Sequence, residues 1–129
     1  MADIVIVEDE PSVRDFLRLT LANAGHTCRE AAGPRRALEL IQECWPDLVL
    51  VDLTLPERDG WALWQDLRDA SQGRELRVVL CGAGISDAAA ARALELGALG
   101  ILRKPVRPQK LVATVAGALR TASHPYGGY

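Results

Sequence analysis

Two kinds of hydrophobic pattern alternate along this chain. Short runs of apolar residues, many of them β-branched, are followed by longer segments in which apolar residues recur every three or four positions. The short runs are typical of buried strands and the longer segments of amphipathic helices. Proline and glycine separate the segments. The pattern predicts strands at about 4–7, 27–30, 48–53, 77–81 and 99–102, and helices at about 11–24, 34–45, 61–70, 87–96 and 108–121.

This order of elements predicts a fold of the α/β class. Strand and helix alternate five times, which indicates parallel strands joined by right-handed crossovers, with helices on both faces of one sheet. The 129 residues suit one domain with a core of its own. We expect that domain to cover 1–122 and a flexible C-terminal tail to cover 123–129.

Charged residues follow three of the predicted strands. The first strand ends in Glu8 and Asp9, the third contains Asp52 at its end, and Lys104 follows the fifth. Because parallel strands place their carboxyl ends at one edge of the sheet, these side chains are expected to meet there. Carboxylates a few ångströms apart repel each other unless one is protonated or a cation binds, and an oxygen-rich site of this kind suits Mg²⁺. Asp52 is then the candidate nucleophile, with Lys104 as a positive charge for a phosphoryl group.

The composition narrows the classes of partner. A net charge of −2, with 25% charged and 49% hydrophobic residues, gives no basic excess for nucleic acid or for an anionic membrane surface. The N-terminus lacks the basic region of a signal peptide, so we expect a cytoplasmic protein. The three cysteines show neither disulfide nor zinc spacing and are predicted to be small buried residues: Cys28, Cys44 and Cys81.

Three segments together resemble the receiver domain of two-component response regulators. They are VEDE at 7–10, the Asp52 segment followed by Leu-Pro and then Gly60, and GALGILRKP at 97–105. The resemblance covers nearly the whole chain. It implies a doubly wound, flavodoxin-like sheet of five strands in the order 2-1-3-4-5.

The same resemblance implies a function. A histidine kinase or phosphotransfer protein would pass a phosphoryl group to Asp52, and Lys104 would contact that group. Mg²⁺ would be bound by Asp9, Asp52 and the main-chain carbonyl of Thr54, with Glu8 acting through water. Such a domain signals through a downstream protein and is not an enzyme in the usual sense.

Two positions depart from the receiver pattern. Gly82 stands where receivers carry a serine or threonine hydroxyl that binds the phosphoryl group, and Ile101 stands at the position of the switch aromatic. The neighbouring Cys81 is expected to point to the other face of its strand and not to replace the hydroxyl. We therefore expect the protein to accept a phosphoryl group at Asp52, and we expect its conformational response to phosphorylation to be altered.

Other functions compete with this interpretation. A receiver-like interaction module that works without phosphorylation is compatible with Gly82 and Ile101. An aspartyl-phosphate phosphatase of the haloacid dehalogenase type also uses an aspartate at a strand end, but it needs a second acid where this chain has Thr54. An FMN-binding flavodoxin would need a neutral phosphate loop after the first strand, and the acids at 8–10 would repel the phosphate.

Overall fold

Five strands and five helices alternate in the computed structural model of the protein, which describes residues 1–53 and 60–121. The elements are β1 (Asp3–Val7), α1 (Pro11–Asn23), β2 (Thr27–Ala31), α2 (Pro34–Glu43), β3 (Leu48–Asp52), α3 (Gly60–Ser71), β4 (Val78–Gly82), α4 (Asp87–Glu95), β5 (Gly100–Arg103) and α5 (Pro108–Arg120). The predicted tail at 123–129 lies outside the described residues. None of the described helices combines the length and the apolar character that crossing a bilayer requires.

The sheet has the predicted topology. Its strand order is β2-β1-β3-β4-β5, and every neighbouring pair is parallel. Within this register Asp52 lies beside Cys81, and Gly82 lies beside Arg103. The carboxyl ends of β1, β3, β4 and β5 therefore form one edge, which confirms the predicted fold class.

The alternation of side chains along the strands builds two cores. Val49 and Val51 pack on the face covered by α2 and α3, whereas Leu48 and Leu50 pack on the face covered by α1 and α5. The period of two places the side chain of Asp52 on the same side as Leu50. Cys81 belongs to that second core, so it does point away from the face next to Gly82, as predicted.

Some predictions differ from the structure in detail. β4 and β5 each begin one residue later than predicted, because strand limits depend on pairing with a neighbour. The fourth helix ends at Glu95, and Gly97 follows it with a φ of 109° that suits glycine. The prediction that all three cysteines are buried was wrong: Cys44, just after α2, is exposed, and Cys28 is half-buried.

Candidate functional site

Three carboxylates meet at the carboxyl edge of the sheet. Glu8 and Asp9 follow β1, Asp52 ends β3, and one carboxylate oxygen from each lies within 4.8 Å of the others. Glu8 and Asp52 are buried, with exposed fractions of 0% and 1%, whereas Asp9 is exposed. Two buried acids and one exposed acid thus form an acidic pocket that opens to solvent on one side.

Lys104 brings one positive charge to this pocket. The Nζ atom lies 2.9 Å from Glu8 Oε1 and donates a hydrogen bond of 3.0 Å to Asp52 Oδ2. The backbone N–H of Lys104 donates to the carbonyl of Gly82 at 3.0 Å, which fixes the start of the loop after β5 against β4. One ammonium therefore faces two buried carboxylates, and Asp9 adds a third negative charge nearby.

The titration of Glu8 and Lys104 reflects this imbalance. Burial raises the pKa of Glu8, the ion pair with the Lys104 ammonium opposes that rise, and repulsion by Asp52 adds to it. For Lys104, burial acts to lower the pKa, but the contacts of its ammonium with Glu8 and Asp52 outweigh burial, and the net pKa is raised. Lys104 is therefore charged at neutral pH, while the site resists full ionisation of Glu8.

One atom of this pocket is left without a hydrogen bond. Glu8 Oε1 is buried and receives none from the described residues, although Lys104 Nζ lies close enough for an ion pair. A buried carboxylate oxygen that has an ion pair but no aligned hydrogen bond is less well stabilised than one that has both. A hard cation with oxygen ligands, such as Mg²⁺, fits this donor set in both charge and chemistry.

The loop that carries the acids is held by main-chain contacts. The N–H of Glu8 donates to the carbonyl of Ala31 at 3.0 Å, and the N–H of Glu10 donates to Glu8 Oε2 at 3.3 Å. Arg14 Nη1 donates to the carbonyl of Glu8 at 2.9 Å and lies 3.5 Å from the carbonyl oxygen of Asp9. Arg14 was not singled out from the sequence, where it is one of two arginines on an amphipathic helix.

Gly82, the position that departs from the receiver pattern, ends β4. A Cβ atom built there would lie 3.4 Å from Ile85 Cδ1 and 3.6 Å from Leu53 Cβ. The φ of Gly82 lies outside the left-handed region, so its backbone does not require glycine. The side chain of Ile85 therefore occupies the space next to Gly82. Ile101, at the other departing position, is partly buried against the same core.

The segment after Gly82 is held by a second arginine. Arg103 Nε donates to the carbonyl of Ile85 at 3.2 Å, and Arg103 Nη2 lies 3.1 Å from Asp87 Oδ1. Ser86 Oγ accepts from the N–H of Ala89 at 3.1 Å and so caps α4. These contacts involve none of the three carboxylates of the pocket. Neither Ile85 nor Arg103 gave a signal in the sequence, because their contacts follow from the path of a loop.

An apolar cavity of about 510 Å³ adjoins the pocket. It lies between α1 and the loop after β5, and its lining consists of Ser12, Val13, Phe16, Leu17, Cys81, Ala83, Lys104, Pro105 and Val106. Lys104 belongs to both the cavity and the acidic pocket. Thr54, the remaining predicted site residue, lies outside the described residues.

Comparison with known proteins identifies the family. The family model of the response regulator receiver domain matches residues 4–116. The chain is 33% identical over 120 residues to the phosphate regulon transcriptional regulatory protein PhoB of Escherichia coli, a match that covers 93% of this chain and 52% of PhoB. The chain thus spans about half the length of PhoB and of the transcriptional regulatory protein AfsQ1 of Streptomyces coelicolor, to which it is 32% identical over 93% of its own length.

Solved structures show the same relationship. The beryllofluoride-activated receiver domain of Klebsiella pneumoniae RstA is 35% identical with a TM-score of 0.81, and the match covers 92% of this chain and 99% of that one. The chemotaxis protein CheY4 of Vibrio cholerae is 28% identical with a TM-score of 0.83, and the match covers 90% of this chain and 97% of that one. The chain therefore belongs to the response regulator receiver domains of bacterial two-component systems.

Proposed function

We propose that this receiver domain accepts a phosphoryl group from a histidine kinase or phosphotransfer protein onto Asp52, in the cytoplasm. The observation that carries the proposal is a buried aspartate that accepts a hydrogen bond from Lys104 at 3.0 Å, with the carboxylates of Glu8 and Asp9 within 4.8 Å. Mg²⁺ would be bound by Asp9, Asp52 and the main-chain carbonyl of Thr54, with Glu8 acting through water.

The residues of the pocket have distinct parts in this chemistry. An oxygen of Asp52 attacks the phosphorus of a phosphohistidine, the P–N bond breaks as the P–O bond forms, and the imidazole leaving group takes a proton. The ammonium of Lys104 holds Asp52 by a hydrogen bond before attack and offsets the charge of the phosphoryl oxygens afterwards. Bound Mg²⁺ would supply further charge neutralisation at the same oxygens.

The cavity beside Lys104 supports a protein donor. Apolar side chains of α1 and of the loop after β5 line it next to Asp52's hydrogen-bond donor. A kinase domain docked there would bury apolar surface within reach of the acceptor. The domain would act through this transfer and through a downstream protein partner, not by turnover of a small-molecule substrate.

The experiment that tests the proposal is transfer of radiolabelled phosphoryl from acetyl phosphate, and from a histidine kinase, to the purified protein. The wild type should gain an acid- and hydroxylamine-labile phosphate that Asp52→Asn lacks. Asp47→Asn is a matched control, because Asp47 lies at the opposite end of β3, where its Oδ2 accepts from the N–H of Asp3. Label retained in Asp52→Asn, or label found on His26, would contradict the assignment.

A second function is favoured by one observation. Gly82, where the resemblance places the switch hydroxyl, has no side chain, and Ile85 packs within 3.4 Å of where a Cβ at Gly82 would lie. A module whose partner-binding surface does not depend on phosphorylation would have this feature. If the partner bound wild type, Asp52→Asn and beryllofluoride-treated protein equally well, this second function would replace the first.

A further inference from the structure

We propose that Arg14 is a positioning residue of the acidic pocket, because its guanidinium holds the loop between β1 and α1 so that Glu8 and Asp9 face Asp52. This role rests on the proposed function in one respect, because the ligand for which Arg14 positions the acids is the Mg²⁺ of phosphoryl transfer. Arg14 itself lies outside the cluster formed by the acids and Lys104.

The start of α1 explains why such a residue is needed. Glu10 occupies the N-cap position, but its side chain makes no capping hydrogen bond, and the helix has no acidic residue in its first turn. Pro11, the first helical residue, has no N–H to donate. The loop carrying the exposed Asp9 thus lacks the usual side-chain cap.

Arg14 restrains the loop from inside the helix. It is the fourth residue of α1 and reaches back to the carbonyl of Glu8 at 2.9 Å, with the carbonyl oxygen of Asp9 at 3.5 Å. A hydrogen bond from a charged donor is stronger than one between neutral groups. The shorter contact fixes the peptide that joins the two acids, so it sets the direction in which both side chains leave the backbone.

Arg14 differs from the other arginine of the same helix face. Arg18, one turn further on, pairs with Glu30 at 3.0 Å and with Asp15 at 3.4 Å. No carboxylate among the described residues lies within ion-pair distance of Arg14, and the hydrogen bonds of its guanidinium go to the main-chain carbonyls of Glu8 and Asp9. An ordinary surface ion pair therefore does not account for its position.

Electrostatics and positioning predict opposite results when Arg14 is replaced. A guanidinium near a cation site repels the cation, so loss of its charge alone should strengthen Mg²⁺ binding. Loss of a residue that orients metal ligands weakens metal binding by about 10- to 100-fold. The sign of the change in affinity distinguishes the two effects.

The test is direct titration of Mg²⁺ by calorimetry, without a phosphodonor, on wild type, Arg14→Met and Arg18→Met. Arg18→Met makes the same change in charge and size on the same helix, and it should bind Mg²⁺ within about twofold of wild type. Arg14→Met should bind about tenfold more weakly. Arg14→Lys, which keeps a charged donor, should recover part of the loss. Binding by Arg14→Met that equals or exceeds wild type would overturn the inference.

A second measurement needs no metal. The N–H of Glu10 is bonded to Glu8 Oε2, so its hydrogen exchange in the metal-free protein reports the order of the loop. Arg14→Met should accelerate that exchange on the order of tenfold, and Arg18→Met should leave it unchanged. Unchanged exchange in both variants would also contradict the positioning role. If wild type failed to bind Mg²⁺ but exchange behaved as stated, the proposed function would fail and the positioning role would stand.

Discussion

The acidic pocket and the segment after β4 lie at the same edge of the sheet but are built from different interactions. In the pocket, two buried carboxylates share one ammonium, and a carboxylate oxygen is left without a hydrogen bond. In the segment after β4, Ile85 packs beside Gly82, Ser86 caps α4, and Arg103 donates a hydrogen bond to the carbonyl of Ile85. The first region needs a cation to balance its charges, whereas the second is already satisfied.

This difference separates two properties that a receiver usually couples. A ligand shifts a conformational equilibrium only by its differential interaction with the two states. A phosphoryl group on Asp52 would interact directly with Lys104 and the acids. Gly82 has no side chain, so it cannot form the hydrogen bond to the phosphoryl group that would change the conformation of the loop after β4. The comparison therefore predicts strong effects of substitutions in the pocket and weaker, graded effects of substitutions after β4.

The largest expected effect is the loss of phosphoryl transfer in Asp52→Asn. The amide is a poor nucleophile, so labelling should fall to background. Without metal, the same substitution should raise the melting temperature, because Lys104 then faces one buried carboxylate in place of two. Labelling together with thermal melts checks both outcomes. A metal-free melting temperature below that of wild type would show that the two carboxylates do not destabilise the pocket.

The second effect is stabilisation by Mg²⁺ and its dependence on pH. At a hundred times the dissociation constant, ligand binding contributes about 2.7 kcal/mol, which corresponds to a rise of about 10 °C in melting temperature. The rise should shrink at acid pH, where a proton on Glu8 competes with the cation. A melting temperature that does not respond to millimolar Mg²⁺ at pH 7.5 would rule out the assignment of the site.

Glu8→Gln provides the matched control for that pH dependence. The pKa of Glu8 is raised in the folded protein, so its favourable contribution is complete below the unfolded value of about 4.3 and is lost as the pH rises through the folded pKa. Metal-free Glu8→Gln should therefore be more stable than wild type at pH 7.5, and this advantage should disappear towards pH 4. Denaturant unfolding at both pH values measures it. An advantage of equal size at both would mean that Glu8 does not titrate as stated.

The fold and the charged residues of the pocket could be predicted from the sequence, but the contacts that hold the neighbouring loops could not. Alternating strands and helices imply a parallel sheet, and a parallel sheet brings Glu8, Asp52 and Lys104 to one edge whatever their separation along the chain. The contacts of Arg14 and Ile85 could not be predicted, because they depend on loop paths and rotamers that leave no period in the sequence. Periodicity therefore locates the acids, whereas the restraints on the neighbouring loops are visible only in the structure.

The third effect is a gain of affinity for beryllofluoride on restoring a hydroxyl at Gly82. The backbone accepts a side chain there, but the branches of threonine extend beyond the Cβ, which already lies 3.4 Å from Ile85 Cδ1. Gly82→Thr combined with Ile85→Ala should bind about tenfold more tightly, which corresponds to one charge-assisted hydrogen bond. Gly82→Thr alone should gain less.

The matched control is Gly82→Ala with Ile85→Ala, which adds the Cβ without the hydroxyl. Titration of each variant with beryllofluoride and Mg²⁺ gives the affinities. Equal affinity in the threonine and alanine double variants would show that the hydroxyl does not reach the phosphoryl site.

The smallest effect concerns Arg103. In wild type, amide chemical-shift changes on adding beryllofluoride and Mg²⁺ should be strong near Asp52 and muted over 86–101, because the loop is held by contacts that do not involve the pocket. Arg103→Met removes the hydrogen bond to the carbonyl of Ile85 and the ion pair with Asp87. Since Asp87 is fully exposed, that ion pair contributes little, and we expect only a modest spread of shift changes into 86–101.

Arg92→Met is the control for this last variant, because Arg92 on α4 is an exposed arginine whose carboxylate partner, Glu95, lies 3.9 Å away. It removes the same charge from the same surface without touching the loop after β4, so the muted pattern of wild type should persist. If wild type showed full-size shift changes over 86–101 and Arg103→Met left them unaltered, the predicted separation between the acidic pocket and the segment after β4 would be wrong. Such shift changes would mean that a phosphoryl group at Asp52 reaches α4 through contacts other than those of Gly82, Ile85 and Arg103.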